Sequence, residues 1–192
     1  MNAVGLAPAA SQRVFRAVLD AMAHPGEILR IPAAGMAAGG DTPAALLPVL
    51  ALADLSTPVC VLAADPRWAG LVTAATGAAI RPLEEAGLVA ALDVPGPQQL
   101  RGLRTGSAAA PELGAQVFIA VSGLGESAGL RLSGPGIAGE RALSVGGLPD
   151  GFWAARAGLV RDFPVGVDLV FLTPDGRLAA VPRSTTVIEE VR

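Results

Sequence analysis

Leu130-Arg-Leu-Ser-Gly-Pro-Gly-Ile-Ala-Gly139 is a β-like run leading into a glycine-rich turn. Its last six residues match G-x-G-x-x-G, the pattern of a loop whose backbone N–H groups hold pyrophosphate at a helix start. On that reading the chain is a doubly wound nucleotide-binding domain. Four features favour a structural turn instead. Pro135 removes one backbone donor. Gly146-Gly147 cuts short the helix that should follow. Only 53 residues remain after Gly139, too few for the rest of such a domain. The acidic residue expected about 20 residues on should end a second strand, and that region reads as helix.

The turn reading makes the stretch part of a sheet, and its neighbours agree. Asp162-Phe-Pro-Val-Gly-Val-Asp-Leu169 and Val181-Pro-Arg-Ser-Thr-Thr-Val187 also set turn residues beside short apolar runs. Val167 to Leu172 predicts a strand, Pro174-Asp175-Gly176 a turn, and Leu178 to Val181 its hairpin partner. Gln116 to Val121 and Leu130 to Leu132 also predict strands, and the glycine-bearing stretch between them suggests a hairpin. Leu148-Pro149-Asp150 precedes a helix running to about Arg161.

Toward the amino terminus, helices and strands interleave. Ser11 is placed to cap a helix to Met22, with Val14, Phe15, Val18, Leu19 and Met22 on one face. His24-Pro25-Gly26 stops it. Glu27 to Ile31 reads as a short strand and Ala33 to Gly40 as a small-residue loop. Thr42-Pro43 signals a buried helix ending near Asp54, with Pro48 as a kink. Pro58 to Leu62 is a buried strand, Asp65-Pro66 caps a helix over Trp68 to Ala75, and Ile80 starts an extended piece. Leu88 to Leu92 reads as strand, Pro97 to Leu103 as helix, and Arg104 to Gly114 as a loop. The pattern predicts one α/β domain over residues 1–192, a mixed sheet with helices packed on it.

Composition excludes several chemistries. A chain of 192 residues buries enough surface to need no staples. One cysteine, Cys60, forms no internal disulfide or cysteine-rich zinc site and fits a reducing compartment. A net charge of -3 gives no broad attraction to nucleic acid or anionic lipid. The longest apolar run, Ala44 to Ala53, is too short to span a bilayer, and the first twelve residues carry no basic side chain. A cytoplasmic protein is expected. All 14 basic residues are arginine, and without lysine there is neither a Schiff base to pyridoxal phosphate nor a P-loop lysine.

No motif carries a complete catalytic set, and no cofactor-binding or metal-ligating residue is assigned. His24, the only histidine, reads as a helix cap, where a cationic ring would suit the negative end. Glu84-Glu85 point different ways on either a helix or a strand. Asp168 lies inside an apolar strand and requires a partner, such as Arg131 or Arg183. Arg104-Thr-Gly-Ser107 and Arg183-Ser-Thr-Thr186 set arginine beside hydroxyls, a pattern that grips phosphate or carboxylate. The residues with capacity for an anion or a partner are therefore Arg104, Arg131, Gly134, Gly136, Arg141 and Arg183. An independent nucleotide- or phosphate-binding enzyme built on the loop at 134–139 is the alternative reading.

Taken together, five blocks resemble a known family. They are the helix Ser11–Met22 with its Pro25-Gly26 stop, the stretch Arg104-Thr-Gly-Ser-Ala-Ala-Ala-Pro-Glu-Leu-Gly114, Leu130 to Arg141, Phe163 to Leu169, and Pro182 to Val187. In this order they resemble the H subunit of the carbon–phosphorus lyase core complex, the PhnH family of bacterial phosphonate breakdown. The resemblance implies a three-layer fold related to the large domain of pyridoxal-phosphate-dependent transferases but without the cofactor. It implies a homodimer that also joins G, I and J subunits. In that complex the I subunit, with G, H and L, displaces adenine from ATP with methylphosphonate, giving alpha-D-ribose 1-methylphosphonate 5-triphosphate. Radical cleavage of the C–P bond belongs to J and its iron–sulfur cluster. The H subunit is then a non-catalytic assembly component.

Overall fold

The computed structural model describes residues 5–38 and 41–190. Helix α1 spans Pro8–Ala23, followed by β1 (Leu29–Arg30) and α2 (Ala33–Ala38). A 3-10 turn at Ala44–Leu46 runs into α3 (Leu47–Leu52). Then come β2 (Val59–Leu62), α4 (Arg67–Thr76), β3 (Leu88–Ala91) and α5 (Pro97–Arg101). A hairpin of β4 (Thr105–Ser107) and β5 (Ala110–Gly114) precedes β6 (Gln116–Ala120). The chain continues through β7 (Gly123–Ser133), β8 (Arg141–Gly146) and α6 (Phe152–Leu159). It closes with β9 (Asp168–Leu172), β10 (Arg177–Val181) and β11 (Thr186–Glu189).

The expected mixed α/β architecture is present. Six strands in the order β1-β10-β9-β6-β3-β2 form the main sheet. β2, β3, β6 and β9 run parallel, and the β9–β10 hairpin adds antiparallel pairing at one side. Strands buried on both faces alternate between two cores, as a period of two requires. Val117, Ile119, Leu169 and Phe171 point to one core, with Phe152 of α6 and Leu100 of α5. Phe118, Val170 and Leu172 point to the other, with Val14 and Val18 of α1, Val49 of α3 and Val72 of α4. A second sheet, β11-β7-β8, lies on the first core through Leu124, Leu130, Leu132 and Leu143.

Several elements differ from the sequence reading, each for a physical reason. α1 begins at Pro8, at N1 or N2 where a missing N–H costs nothing. Ser11 already donates its backbone N–H to the Ala7 carbonyl at 3.0 Å, so it lies inside the helix and caps nothing. Part of the loop expected over Ala33–Gly40 is helix α2, since alanine favours helix without showing periodicity; Gly39 and Gly40 lie outside the described residues. Pro48 opens α3 rather than kinking a longer helix, and Thr42 supplies no side-chain cap.

The expected hairpin joining Gln116–Val121 to Leu130–Leu132 does not form. β6 is flanked by β3 and β9, so both its edges are filled and β7 must pair elsewhere. β7 pairs with β8 and β11 instead. The stretch Arg104–Gly114, read as loop, is the β4–β5 hairpin; its small residues carry little strand propensity, and Gly106 at φ 75° supplies the bend. Ile80 contributes only an isolated bridge to Val59. Asp65 is not the cap of α4, which is Pro66; it stands one residue earlier, and its Oδ1 accepts the Arg67 N–H at 2.9 Å. Among the described residues no helix is long and apolar enough to cross a membrane.

Candidate functional site

The five sequence blocks, spread over 177 positions from Ser11 to Val187, meet in two adjoining junctions. The first lies where α1 stops. His24 closes the helix, its backbone N–H and its Nδ1–H both donating to the Asp20 carbonyl at 3.0 Å. Pro25 and Gly26 then pack against the β7–β8 turn. A Cβ on Gly26 would fall 2.5 Å from Leu132 Cδ1. A Cβ on Gly136 would land on the Ala23 carbonyl oxygen and lie 2.7 Å from Pro25 Cδ, and one on Gly134 would lie 2.9 Å from the Ser184 carbonyl. These glycines adopt φ of 74°, 83° and 132°. Positive φ and close approach together explain them without a ligand. Arg141 locks the corner, its Nη1 donating to the Pro25 carbonyl at 3.2 Å and reaching Glu27 Oε2 at 3.4 Å.

The turn at 134–139 leads into β8, not into a helix. It therefore lacks the helix start whose free N–H groups and dipole hold pyrophosphate.

The second junction centres on Arg183. Its guanidinium grips Asp168 through Nη2–Oδ2 at 2.7 Å and Nε–Oδ1 at 3.2 Å. The Arg183 backbone N–H adds a bond to Oδ1 at 2.8 Å, and Nη1 donates to the Pro111 carbonyl at 2.6 Å. Both side chains are largely buried, at 15% and 17% exposure. Of the two partners expected for Asp168, Arg183 is the one found. Gly114 sits against this pair: a Cβ there would meet the Gly166 carbonyl and lie 2.8 Å from Arg183 Nη1. Gly166 N–H in turn donates to the Thr105 carbonyl at 2.9 Å. One arginine thus ties the β4–β5 hairpin, the approach to β9 and the turn before β11.

Beside this junction is a cavity of about 440 Å³. Its wall holds Arg156, Arg183, Ser184, Thr185 and Thr186, with Phe163 among its apolar members. Arg156 is 2% exposed. It sits on the buried face of α6, four residues after Phe152. Its Nη2 donates to the Pro182 carbonyl at 2.7 Å. Its Nε, and the buried Thr185 hydroxyl, have no hydrogen-bond partner among the described residues. Burial pushes the guanidinium down to about 10, which the charge of Asp168 partly offsets, so Arg156 stays cationic at neutral pH. An unsatisfied buried donor costs about 1–3 kcal/mol.

The remaining expected residues disperse. Arg131 is exposed and pairs with Glu190 at 2.7 Å and Glu140 at 3.5 Å. The Glu190 hydrogen bond and the Glu140 charge raise its already high pKa. Among the described residues the Arg104 side chain reaches only the Glu85 carbonyl, at 3.5 Å. Neither lines the cavity; nor does Gly134, Gly136 or Arg141. Among the described residues no group of three or more His, Cys, Asp and Glu side chains is placed to hold a metal. Arg156 escaped the sequence reading. Its signal was present: Phe152, Ala155, Arg156 and Leu159 fall at helical spacing, which puts an arginine on an apolar stripe.

Known proteins match the chain over nearly its whole length. The sequence profile described as bacterial phosphonate metabolism protein (PhnH) matches residues 6–188. A putative C-P lyase subunit protein, HtxG, of Stutzerimonas stutzeri is 34% identical over 182 residues, covering 92% of this chain and 85% of its own. The alpha-D-ribose 1-methylphosphonate 5-triphosphate synthase subunit PhnH of Rhizobium meliloti (strain 1021) is 31% identical over 194 residues, covering 94% and 91%.

Proposed function

The chain belongs to the PhnH family of bacterial phosphonate metabolism proteins, and from that premise we propose that it is a non-catalytic assembly subunit of a carbon–phosphorus lyase core complex. In that role it supports formation of alpha-D-ribose 1-methylphosphonate 5-triphosphate from ATP and methylphosphonate. The relative from Rhizobium meliloti is named as a subunit of the synthase for that product. The observation that carries the assembly role is the use made of the five blocks. Gly136, Arg141 and Arg183 among them hold chain segments together, through Arg183–Asp168, Arg141–Glu27 and the Gly136 contact with α1.

Residues 1–192 form one domain on this reading, with the large-domain fold of pyridoxal-phosphate-dependent transferases and no cofactor. The three-layer arrangement around a mixed sheet supports that likeness, and the absence of lysine removes the cofactor's anchor. A cytoplasmic homodimer joined to the G, I and J subunits is the working assembly. Phe15 and Leu19, one turn apart on α1, are exposed apolar side chains that support association. Arg104, outside the two junction locks and reaching only the Glu85 carbonyl at 3.5 Å among the described residues, supports contact with a carboxylate of a partner subunit.

Co-expression with the other core subunits, followed by native mass spectrometry, tests the proposal. A heteromeric assembly containing this chain is the expected result. If the other subunits assemble while this chain remains outside, the proposal fails.

A further inference from the structure

Helix α1 is apolar over a wider arc than the chain itself covers. Its buried residues are Ala10, Val14, Ala17, Val18 and Ala21. Phe15 and Leu19, read from the sequence as part of the same face, lie outside that stripe at 44% and 53% exposure. They stand four residues apart and form a ridge on the outer surface of the helix, of the kind that packs into the groove of a second helix. Arg16, three residues before Leu19, is its neighbour on that surface. Arg16 also lines a groove of about 240 Å³ between α1 and β1, together with Arg13, Arg30 and one carboxylate, Asp20. Arg30 pairs with Asp175, which also holds Arg177 at 3.2 Å. Four arginines thus stand here against two carboxylates, on a chain whose net charge is -3. Among the described residues no ion pair reaches Arg13 or Arg16. A surface arginine alone needs no partner. An uncovered apolar ridge with a basic border has the make-up of an interface core and its polar rim.

We propose that the outer face of α1 docks a helix of a different subunit, one that sets apolar side chains beside carboxylates. The inference rests on the assembly reading above and names a surface through which assembly acts. Apolar side chains of the partner helix pack around Phe15 and Leu19, and its carboxylates meet Arg13 and Arg16 along the border of the groove. Charge decides against a second copy of this chain as the occupant. The same face turned on itself about a two-fold axis sets an excess of arginine against an excess of arginine. In this arrangement the ridge supplies most of the affinity, and the arginines at its rim set partner choice and the rate of encounter.

The test is a competition for places in the assembly. Parent and variant chains are co-expressed in excess over the other core subunits, and native mass spectrometry reads the ratio incorporated. The variants are Phe15→Ala/Leu19→Ala and Arg13→Gln/Arg16→Gln, with Leu55→Ala as the control, since Leu55 is 83% exposed away from this face. Circular dichroism of the isolated variants checks folding. The parent should outcompete Phe15→Ala/Leu19→Ala by about ten-fold or more and Arg13→Gln/Arg16→Gln by about three-fold, while Leu55→Ala incorporates evenly. Should Phe15→Ala/Leu19→Ala fail to fold, the arginine variant decides alone. Even incorporation of both folded double variants, or equal exclusion of Leu55→Ala, would overturn the proposal and leave the assembly reading intact. A parent chain absent from every assembly would sink the assembly reading and this surface with it. Sedimentation of the isolated chain covers the remaining occupant: a dimer that Phe15→Ala/Leu19→Ala splits, with even incorporation into the assembly, would give the face to a second copy and overturn the proposal.

Discussion

Replacing Arg183 with methionine isolates the interaction that ties three segments of the chain together. The substitution keeps most of the apolar stem and deletes the guanidinium. It leaves the Asp168 carboxylate with the Arg183 backbone N–H as its remaining close donor, and it strips the Pro111 carbonyl of a bond 2.6 Å long. Removing one partner of a fully buried pair costs about 3–5 kcal/mol. With side chains 15% and 17% exposed, screening reduces this to about 2–4 kcal/mol. For a chain of 192 residues, each kcal/mol lowers Tm by about 2–4 °C, so a loss of about 6–12 °C is expected for a mid-range 3 kcal/mol. Differential scanning calorimetry reads it. A double-mutant cycle with Asp168→Asn should show coupling of at least about 1 kcal/mol, because the two groups share their bonds. Arg183→Lys should recover only part of the loss, since an ammonium cannot reproduce the two-pronged grip. Arg30→Met is the contrast: its pair with Asp175 is 59% and 51% exposed, and its removal should cost under about 1 kcal/mol. An Arg183→Met melt within 1 °C of the parent, or strict additivity in the cycle, would refute the reasoning.

Glycine positions give a second set of expectations. Gly136→Ala must strain a backbone at φ 83° and drive a Cβ into Ala23 and Pro25, whereas Gly139→Ala at φ 78° meets open space; denaturant melts should show a loss of about 1 kcal/mol at Gly139 and clearly more at Gly136, and equal losses would contradict the packing. Asp175 should shape acid stability. The Thr173 hydroxyl foremost, then Arg177, holds its carboxyl down to about 2, below the unfolded value near 3.9. Its contribution is therefore full above about pH 4 and lost as pH falls toward 2, and Asp175→Asn should flatten the fall in urea midpoint over that window. Cys60 is buried, and burial, with Glu84 second, pushes its thiol up; native protein should label slowly with a thiol reagent at pH 8 and rapidly once unfolded, whereas fast native labelling would contradict this placement.

The elements most legible in the sequence were those whose signal is local. Val167–Leu172, the Pro174-Asp175-Gly176 turn and Leu178–Val181 fold as the β9–β10 hairpin, because a β-branched run and a proline–glycine turn need no distant help. The stop at His24-Pro25-Gly26 is equally local. The misreadings lie where pairing is long-range or side chains are small. β4 and β5 are composed largely of Gly, Ser, Ala and Pro, and only their mutual hydrogen bonds make them strands. β8, lying between Gly139 and Gly147, has no element assigned to it from the sequence, and it becomes a strand because β7 offers it an edge. β11 completes that sheet with mostly exposed residues, so no burial pattern announced it.

The site divides in the same way. The sequence alone determined that no lysine, no second histidine and no second cysteine exist, which excludes whole chemistries regardless of folding. It also determined that Asp168 needed a partner, since a carboxylate in an apolar strand is costly unpaired. Only the tertiary structure decided between Arg131 and Arg183, because the choice depends on which turn the register of β9, β10 and β11 brings alongside. It alone turned the glycines at 134 and 136 from a phosphate cradle into close contacts with α1 and Ser184. It alone set the buried Arg156 beside Thr185, 29 positions later. Those outcomes rest on packing between segments far apart in the chain, and no local pattern encodes which surfaces will meet.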